Sequence, residues 1–379
     1  MIEAKCKILM LIDNFDPGGA QTLLIDLVKG LDKNKFEVFI IPLRKPEAFT
    51  DALANSGARI VDLSGGKYNP FKLLSLVRLI RNERVDVVHT HLTASRFLGV
   101  IAGFLGGAKK IFSHDHSGDE YLRKRKWTAK LVLYPFDRML MSCTDQVLAV
   151  SEAIAAFNVD YKKIPEQKVT ICHNWIDVGR FSPDPNDRRE LRLLWQIPES
   201  AFVVGAVGRL SSQKGYRYLV EAAAEILAGA PKTVFVVVGS GEEFLPLKQM
   251  VQALDIDHAF RFPGFVSEVE RVYPVFDLFV LPSVYEPFGL VVLEAMAAGL
   301  PVVASATGGV VEIIEDKQNG LLVPPGNSKA LAQGIVKLME NMEALAKPMA
   351  ARAKQLVRDR FDRNAAISII ESLYLEEDV

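Results

Sequence analysis

Apolar residues along the chain come in two rhythms that alternate almost from end to end. Short runs rich in β-branched residues predict strands: CKILMLID (6–13), FEVFIIPL (36–43), VDVVHTH (85–91), AKKIFSHDH (108–116) and DQVLAVS (145–151). Between them lie segments of helical period, such as GAQTLLIDLVKGL (19–31) and FKLLSLVRLIRN (71–82). Near residues 182–198 the pattern breaks at SPDPNDRRELRLLWQIPES, whose proline and charge predict a linker. Alternation then restarts with FVVGAVG (202–208), the helix YRYLVEAAAEILAG (216–229), TVFVVVG (233–239), LFVLPS (278–283) and LPVVAS (300–305).

Apolar strands alternating with helices predict parallel sheets covered on both faces. Two such series predict an α/β protein of two tandem, doubly wound, Rossmann-like domains. A length of 379 residues agrees, being too long for one typical core. In such sheets ligands bind beyond the carboxyl ends of the strands, so chemistry is sought in the loops that follow them. The last segment, RNAAISIIESLYLEE (363–377), is an amphipathic helix whose Ile, Leu and Tyr face must dock on something.

Composition narrows the function classes. A net charge of −1 gives no global field to recruit nucleic acid. The three cysteines, Cys6, Cys143 and Cys172, are far apart, which argues against a disulfide framework or a thiolate zinc site. The apolar run before Asp13 is too short for a signal peptide, and no stretch approaches the ~20 apolar residues that span a bilayer. A cytoplasmic protein is expected.

Four stretches carry candidate chemistry. In VVGAVGRLSSQKGYRYLVEAA (203–223), Arg209 and Lys214 flank a serine-rich loop that opens into a helix. Exposed backbone N–H groups at a helix start plus two cations make an anion site, with a solvated basic loop as the alternative. SVYEPFGLVVLEAMAAGLPVVAS (283–305) is nearly all apolar yet keeps Glu286 in a loop and Glu294 inside a helix closed by Gly299. A buried carboxylate needs a partner. Leu290, Val291, Ala297 and Ala298, the helical neighbours of Glu294, provide none. The partner is then a distant cation or a ligand bearing hydroxyl groups.

In LIDNFDPGGAQTLLIDL (11–27), Gly18 and Gly19 allow close approach of a ligand at a helix start, or simply make a tight connection. In AKKIFSHDHSGDE (108–120), His114 and His116 share one face of a strand. Zinc there would need a third ligand, for which only His89 and His91 are at hand, so no metal is expected and a catalytic or sugar-contacting histidine is preferred. DID (255–257) reads as a loop between helix and strand rather than a manganese site. The basic segment YLRKRKWTAKLVLYPFDRML (121–140) is either a solvated helix face or a membrane-surface contact through Arg123, Lys124, Arg125 and Lys126. Neither domain has GxGxxG after its first strand, which disfavours an NAD enzyme.

Together these residues resemble glycosyltransferase family 4, the retaining transferases of GT-B fold, over nearly the whole chain. Glu286 to Glu294 looks like that family's E-x7-E signature, VGRLSSQKG is similar to its phosphate-binding loop and GGAQTLL to its N-terminal glycine loop. KVTICHNWIDVGRF resembles its domain junction, with Trp175 in place of the commoner glycine, and NGLLVPPG also fits. The resemblance implies an acceptor-binding domain over 1–185, a donor-binding domain over 186–360 and a C-terminal helix over 361–379 that returns to the first domain.

It further implies a nucleotide-diphosphate sugar as donor, no metal or other cofactor, and a glycan or lipid-linked acceptor. Arg209 and Lys214 would take the diphosphate and Glu294 the ribose hydroxyls. Glu286 would meet the sugar, and the N–H groups of Phe288, Gly289 and Leu290 the sugar and phosphate. Gly18 and Gly19 would close over the diphosphate, and His116 or His114 would stand beside the reacting sugar. Peripheral contact with the inner face of the membrane fits a lipid-linked acceptor. The alternatives are a nucleotide-sugar epimerase of the same architecture and a catalytically silent nucleotide-sugar-binding protein.

Overall fold

A computed structural model describes residues 4–16, 18–44, 53–63, 71–117, 127–182 and 184–376, leaving out the side chains of 128–130 and 132–134. Arg123, Lys124, Arg125 and Lys126 therefore lie outside the described residues. The chain divides into two compact units, one of residues 1–174 with 363–379 and the other of 175–362.

The first unit holds β1 (Cys6–Ile12), β2 (Phe36–Pro42), β3 (Arg59–Ile60), β4 (Val87–His91), β5 (Lys110–Asp115), β6 (Gln146–Ala149) and β7 (Val169–Ile171). They form one sheet in the order β3-β2-β1-β4-β5-β6-β7, every pair parallel. Ile8 to Ile12 are all fully buried. Since consecutive side chains point to opposite faces, both faces of the sheet are covered, as the unbroken apolar run requires.

The C-terminal helix Arg363–Leu375 belongs to this unit and seals one face. Ile367, Ile370 and Tyr374 are buried, Glu371 accepts from the Asp32 N–H at 2.8 Å, and Lys110 donates to the Leu373 carbonyl at 3.1 Å.

The second unit holds β8 (Phe202–Val207), β9 (Thr233–Val238), β10 (Phe260–Gly264), β11 (Leu278–Leu281), β12 (Val302–Ser305) and β13 (Leu321–Val323). Their order is β10-β9-β8-β11-β12-β13, again all parallel. In each sheet the order reverses once, between β1 and β4 and between β8 and β11. Those switch points are where ligand crevices open in doubly wound sheets.

One expectation needs correction. The stretch predicted as a linker is a helix, Pro185–Leu194, started by the Asp184 side chain, which accepts from the Asn186 N–H at 2.8 Å, and by a proline in its first turn. Its charges are used in pairing. Arg188 and Arg192 reach Asp277 at 2.7 and 2.8 Å, and Asp277 also accepts from the Val203 N–H. The compact units part between Asn174 and Trp175, a little before the expected junction at 185/186. Trp175 is buried, and Ile176 forms an isolated parallel bridge with Asp362. The C-terminal segment belongs to the first unit from Arg363 onward, close to the expected 361.

Candidate active site

In the second unit the site grows out of the two loops that follow the switch-point strands. After β8 the chain runs through Gly208 and the exposed Arg209, makes a short turn over Ser212–Lys214, and starts the helix Tyr216–Gly229 at Gly215. After β11 it runs through Pro282 and the buried Ser283 and Glu286 to Gly289, where the helix Leu290–Ala297 starts. Neither helix start has a side-chain cap, so its N–H groups are not used up by one.

The loops are knit together. The N–H of Val284 donates to the Gln213 carbonyl at 2.9 Å. Gly215 has φ +64, and a Cβ there would lie 2.1 Å from the Pro282 carbonyl oxygen. Only glycine allows both the left-handed turn and this approach.

This contact brings Lys214 and Glu286, 72 positions apart, to 2.5 Å, with the Ser283 hydroxyl also donating to Glu286 at 3.2 Å. The puzzle of the isolated glutamate has a definite answer: its partner is the loop lysine. Glu294 is answered differently. The hydroxyl of the fully buried Tyr273 donates to its carboxylate. Burial first, and the Glu294 charge second, push the Tyr273 phenol well above its ordinary range, so it stays a donor. Both carboxylates thus have protein partners, and each keeps acceptor capacity for more. Arg209, Lys214, Glu286, Phe288, Gly289 and Leu290 gather on the switch-point loops. Glu294 lies one turn further along the same helix.

A third loop joins them without having been singled out in the sequence. After β12 comes Thr307-Gly308-Gly309, with Gly308 at φ +52 and its Cβ position 1.9 Å from the Glu286 carbonyl oxygen. The Gly309 N–H donates to that same oxygen at 3.2 Å. Its signal is a Gly-Gly pair in the loop that follows a strand, as at Gly18-Gly19.

In the first unit, Gly18 and Gly19 are exposed at the start of the helix Gly19–Gly30. Gly18 is extended at φ −179, so any residue could adopt its backbone, and what glycine provides there is clearance. His114 and His116 lie on one face of the β5 end, as alternation predicts. The unexpected feature is their company. His91 stands opposite His114 in the strand register, and His89 lies two residues before it on the same face. The rings of His89 and His114 are stacked at 5.5 Å, and those of His91 and His116 at 5.4 Å.

His91 Nδ1 and His116 Nε2 share a hydrogen bond of 3.1 Å, and His89 Nδ1 meets the Tyr374 hydroxyl at 2.6 Å. Burial lowers all four imidazoles, with neighbouring rings adding to the effect for His89, His91 and His114. His116 is lowered to about 4 by burial against the opposing pull of Asp115. All are neutral at pH 7. His116 is partly exposed, whereas His114 is fully enclosed.

On the opposite face of the same strand end, Asp115 pairs with Lys162 at 3.3 Å. Lys162 also meets Asp137 at 3.3 Å, and Asp137 meets Arg96 at 2.7 Å. All four are buried, on elements far apart in sequence, and nothing in the local sequence marks them as a group. Among the described residues, His89, His91, His114 and no carboxylate form the one metal-type cluster, and DID (255–257) lies in a turn before β10 as expected.

With the geometry in view, two family profiles match: that described as Glycosyltransferase Family 4 over residues 17–180 and that described as Glycosyl transferases group 1 over 187–356. The chain is 26% identical over 307 residues to the UDP-Gal:alpha-D-GlcNAc-diphosphoundecaprenol alpha-1,3-galactosyltransferase of Escherichia coli, covering 80% of this chain and 79% of that protein. It is 25% identical to the N-acetyl-alpha-D-glucosaminyl L-malate synthase of Bacillus anthracis, over 95% of this chain and 94% of that one. Among solved structures it resembles HepE of Anabaena in complex with UDP-glucose, with a TM-score of 0.85, 26% identity, and coverage of 97% and 99%.

Proposed function

The chain belongs to glycosyltransferase family 4, and on that premise we propose that it moves a sugar, with retention of configuration, from a nucleotide-diphosphate sugar to a lipid-linked glycan acceptor. The observation that carries this reading is the paired Lys214 and Glu286 at the switch point, beside the exposed Arg209 and two uncapped helix starts. Such a site receives a diphosphate. Cations and helix N-termini there stabilise the negative charge that grows as the C1–O bond to phosphate breaks. The new bond forms from the acceptor hydroxyl on the same face of the sugar, and a donor phosphate oxygen takes the hydroxyl proton. This chemistry places the charge on protein groups and calls for no metal ion.

Glu294 would accept from ribose hydroxyls with the oxygen capacity that Tyr273 leaves. In the first unit His116 suits contact with the reacting sugar better than His114, because it alone of the pair is partly exposed. Being neutral, it would act as a hydrogen-bond partner. The bound UDP-glucose of HepE and the UDP-linked donor in the name of the E. coli relative make uridine the first base to test.

The lipid-linked acceptor is supported by the first unit's surface. A groove of about 520 Å³ is lined by the exposed Met139 and Tyr161 with Pro135, Arg138, Ser142 and Lys162, and Trp127 and Leu131 are exposed on the same helix as Met139. Lys162 ties that groove to Asp115, next to His116. Among the described residues no helix is long and apolar enough to cross a membrane, so contact would be peripheral.

Thermal shifts with UDP, GDP, ADP, CDP and NAD, all in EDTA, test the donor. At 100 times its dissociation constant a ligand adds about 2.7 kcal/mol, enough to single out one nucleotide. A response to NAD alone, or to none, sinks the reading. Proton NMR of the product of the matching sugar nucleotide then reports the anomeric configuration, and an inverted product removes the retaining assignment. Conversion of donor without any acceptor would point to an epimerase.

A further inference from the structure

We propose that His89, His91 and His114 form a binding site for a borderline first-row divalent cation, Zn²⁺ in the first instance. One ring nitrogen from each lies within 4.8 Å of those of the other two, on adjacent parallel strands where the His91–His114 register and the two-residue alternation hold all three on one face. A tetrahedral zinc with Zn–N bonds of about 2.0–2.1 Å sets its nitrogens roughly 3.4 Å apart. Ring rotation and a contraction of at most about 1.4 Å, from 4.8 to roughly 3.4 Å, would reach that.

The nitrogens also have the right availability. His89 Nε2, His91 Nε2 and both nitrogens of His114 are buried and have no hydrogen-bond partner among the described residues. A buried ring nitrogen with no partner is costly, and a cation would satisfy three at once. The other nitrogens of two ligands are already held as metal-bound histidines usually are. His89 Nδ1 meets the Tyr374 hydroxyl and His91 Nδ1 meets His116 Nε2, contacts that fix ring orientation and tautomer. Three neutral imidazoles leave a fourth position for water or an anion. The all-nitrogen donor set selects Zn²⁺, Co²⁺, Ni²⁺ or Cu²⁺ over Mg²⁺ and Ca²⁺. The ion would bind in the first unit, with no role in the diphosphate chemistry of the second.

The test uses the full chain, freed of metal with a chelator and dialysed, then titrated with Zn²⁺ by calorimetry and with Co²⁺ by visible absorption. One equivalent should bind, with the intense bands of four-coordinate Co²⁺, and saturating Zn²⁺ should raise the Tm. His114→Asn should weaken binding by about 100-fold and Tyr374→Phe by about 10-fold. Replacement of the exposed His258 by Gln should change nothing. A folded wild-type chain that binds no equivalent of either ion overturns the proposal, whatever the variants do. So does binding retained at full strength in both His114→Asn and His91→Asn.

Discussion

At the ends of β8 and β11 a lysine and a glutamate meet at 2.5 Å, with an exposed arginine nearby; at the ends of β4 and β5 four neutral imidazoles stack together, three of them buried and His116 partly exposed. The two units share a topology and a switch point, yet they hold opposite chemistry at corresponding places. In the second unit the functional groups sit on loops, where water and ligand can reach them and charge is cheap to keep. In the first they sit on the strands themselves, where alternation puts every second residue on one covered face. A charged loop is ready for an anion. A buried imidazole face instead offers uncharged nitrogens, suited to hydrogen bonding or to a cation that brings its own charge.

The sharpest way to break this contrast is to remove the charge from the second unit. Arg209→Ala with Lys214→Ala is expected to cut kcat/KM by about 10³-fold or more while leaving a cooperative unfolding transition. Normal turnover by that double variant would end the anion-site reading.

The first unit is tested by acid. Its imidazoles bind protons in the unfolded chain near pH 6.5 but resist them when folded, His116 down to about 4. Their contribution is therefore intact above about pH 6.5 and is lost as pH falls toward 4. Each adds a slope of up to about 1.4 kcal/mol per pH unit. Denaturant melts from pH 7 to 5.5 in EDTA should steepen accordingly, and a His91→Asn or His114→Asn chain should show a shallower slope. An unchanged slope in both variants would mean the cluster does not titrate on unfolding.

Smaller effects separate frame from function. Gly215→Ala should cost about 1–3 kcal/mol of stability, because the left-handed turn and the approach to Pro282 both resist a Cβ. A Tm equal to the wild type would show that the two loops are not locked as described. Glu294→Ala should weaken donor binding by about 1–3 kcal/mol, with Tyr273→Phe affecting stability more than donor affinity. If calorimetry finds donor affinity unchanged in Glu294→Ala, the carboxylate serves only the tyrosine.

What the sequence determined was everything that local pattern encodes. Apolar runs gave the central strands, because a strand covered on both faces is mostly apolar; β4 and β5 depart from this at their carboxyl ends, where the histidines lie. The four strands the pattern did not mark, β3, β7, β10 and β13, are the sheet edges, which are short and only partly covered. The motif residues of the second unit were legible because a loop, a helix start and a flanking cation are neighbours in the chain. The segment 185–194 reads as a linker because its charges look like solvent exposure until Asp277 stands beside them.

Tertiary structure alone decided which partner each buried group has. Glu286 finds Lys214 and Glu294 finds Tyr273 across loops that only the parallel sheet brings together. The pairs HTH and HDH became one cluster only through the strand register, and the helix that carries Tyr374 closes it from the far end of the chain. Burial is a local demand that composition records, but who satisfies it depends on long-range packing, and no window of sequence contains that.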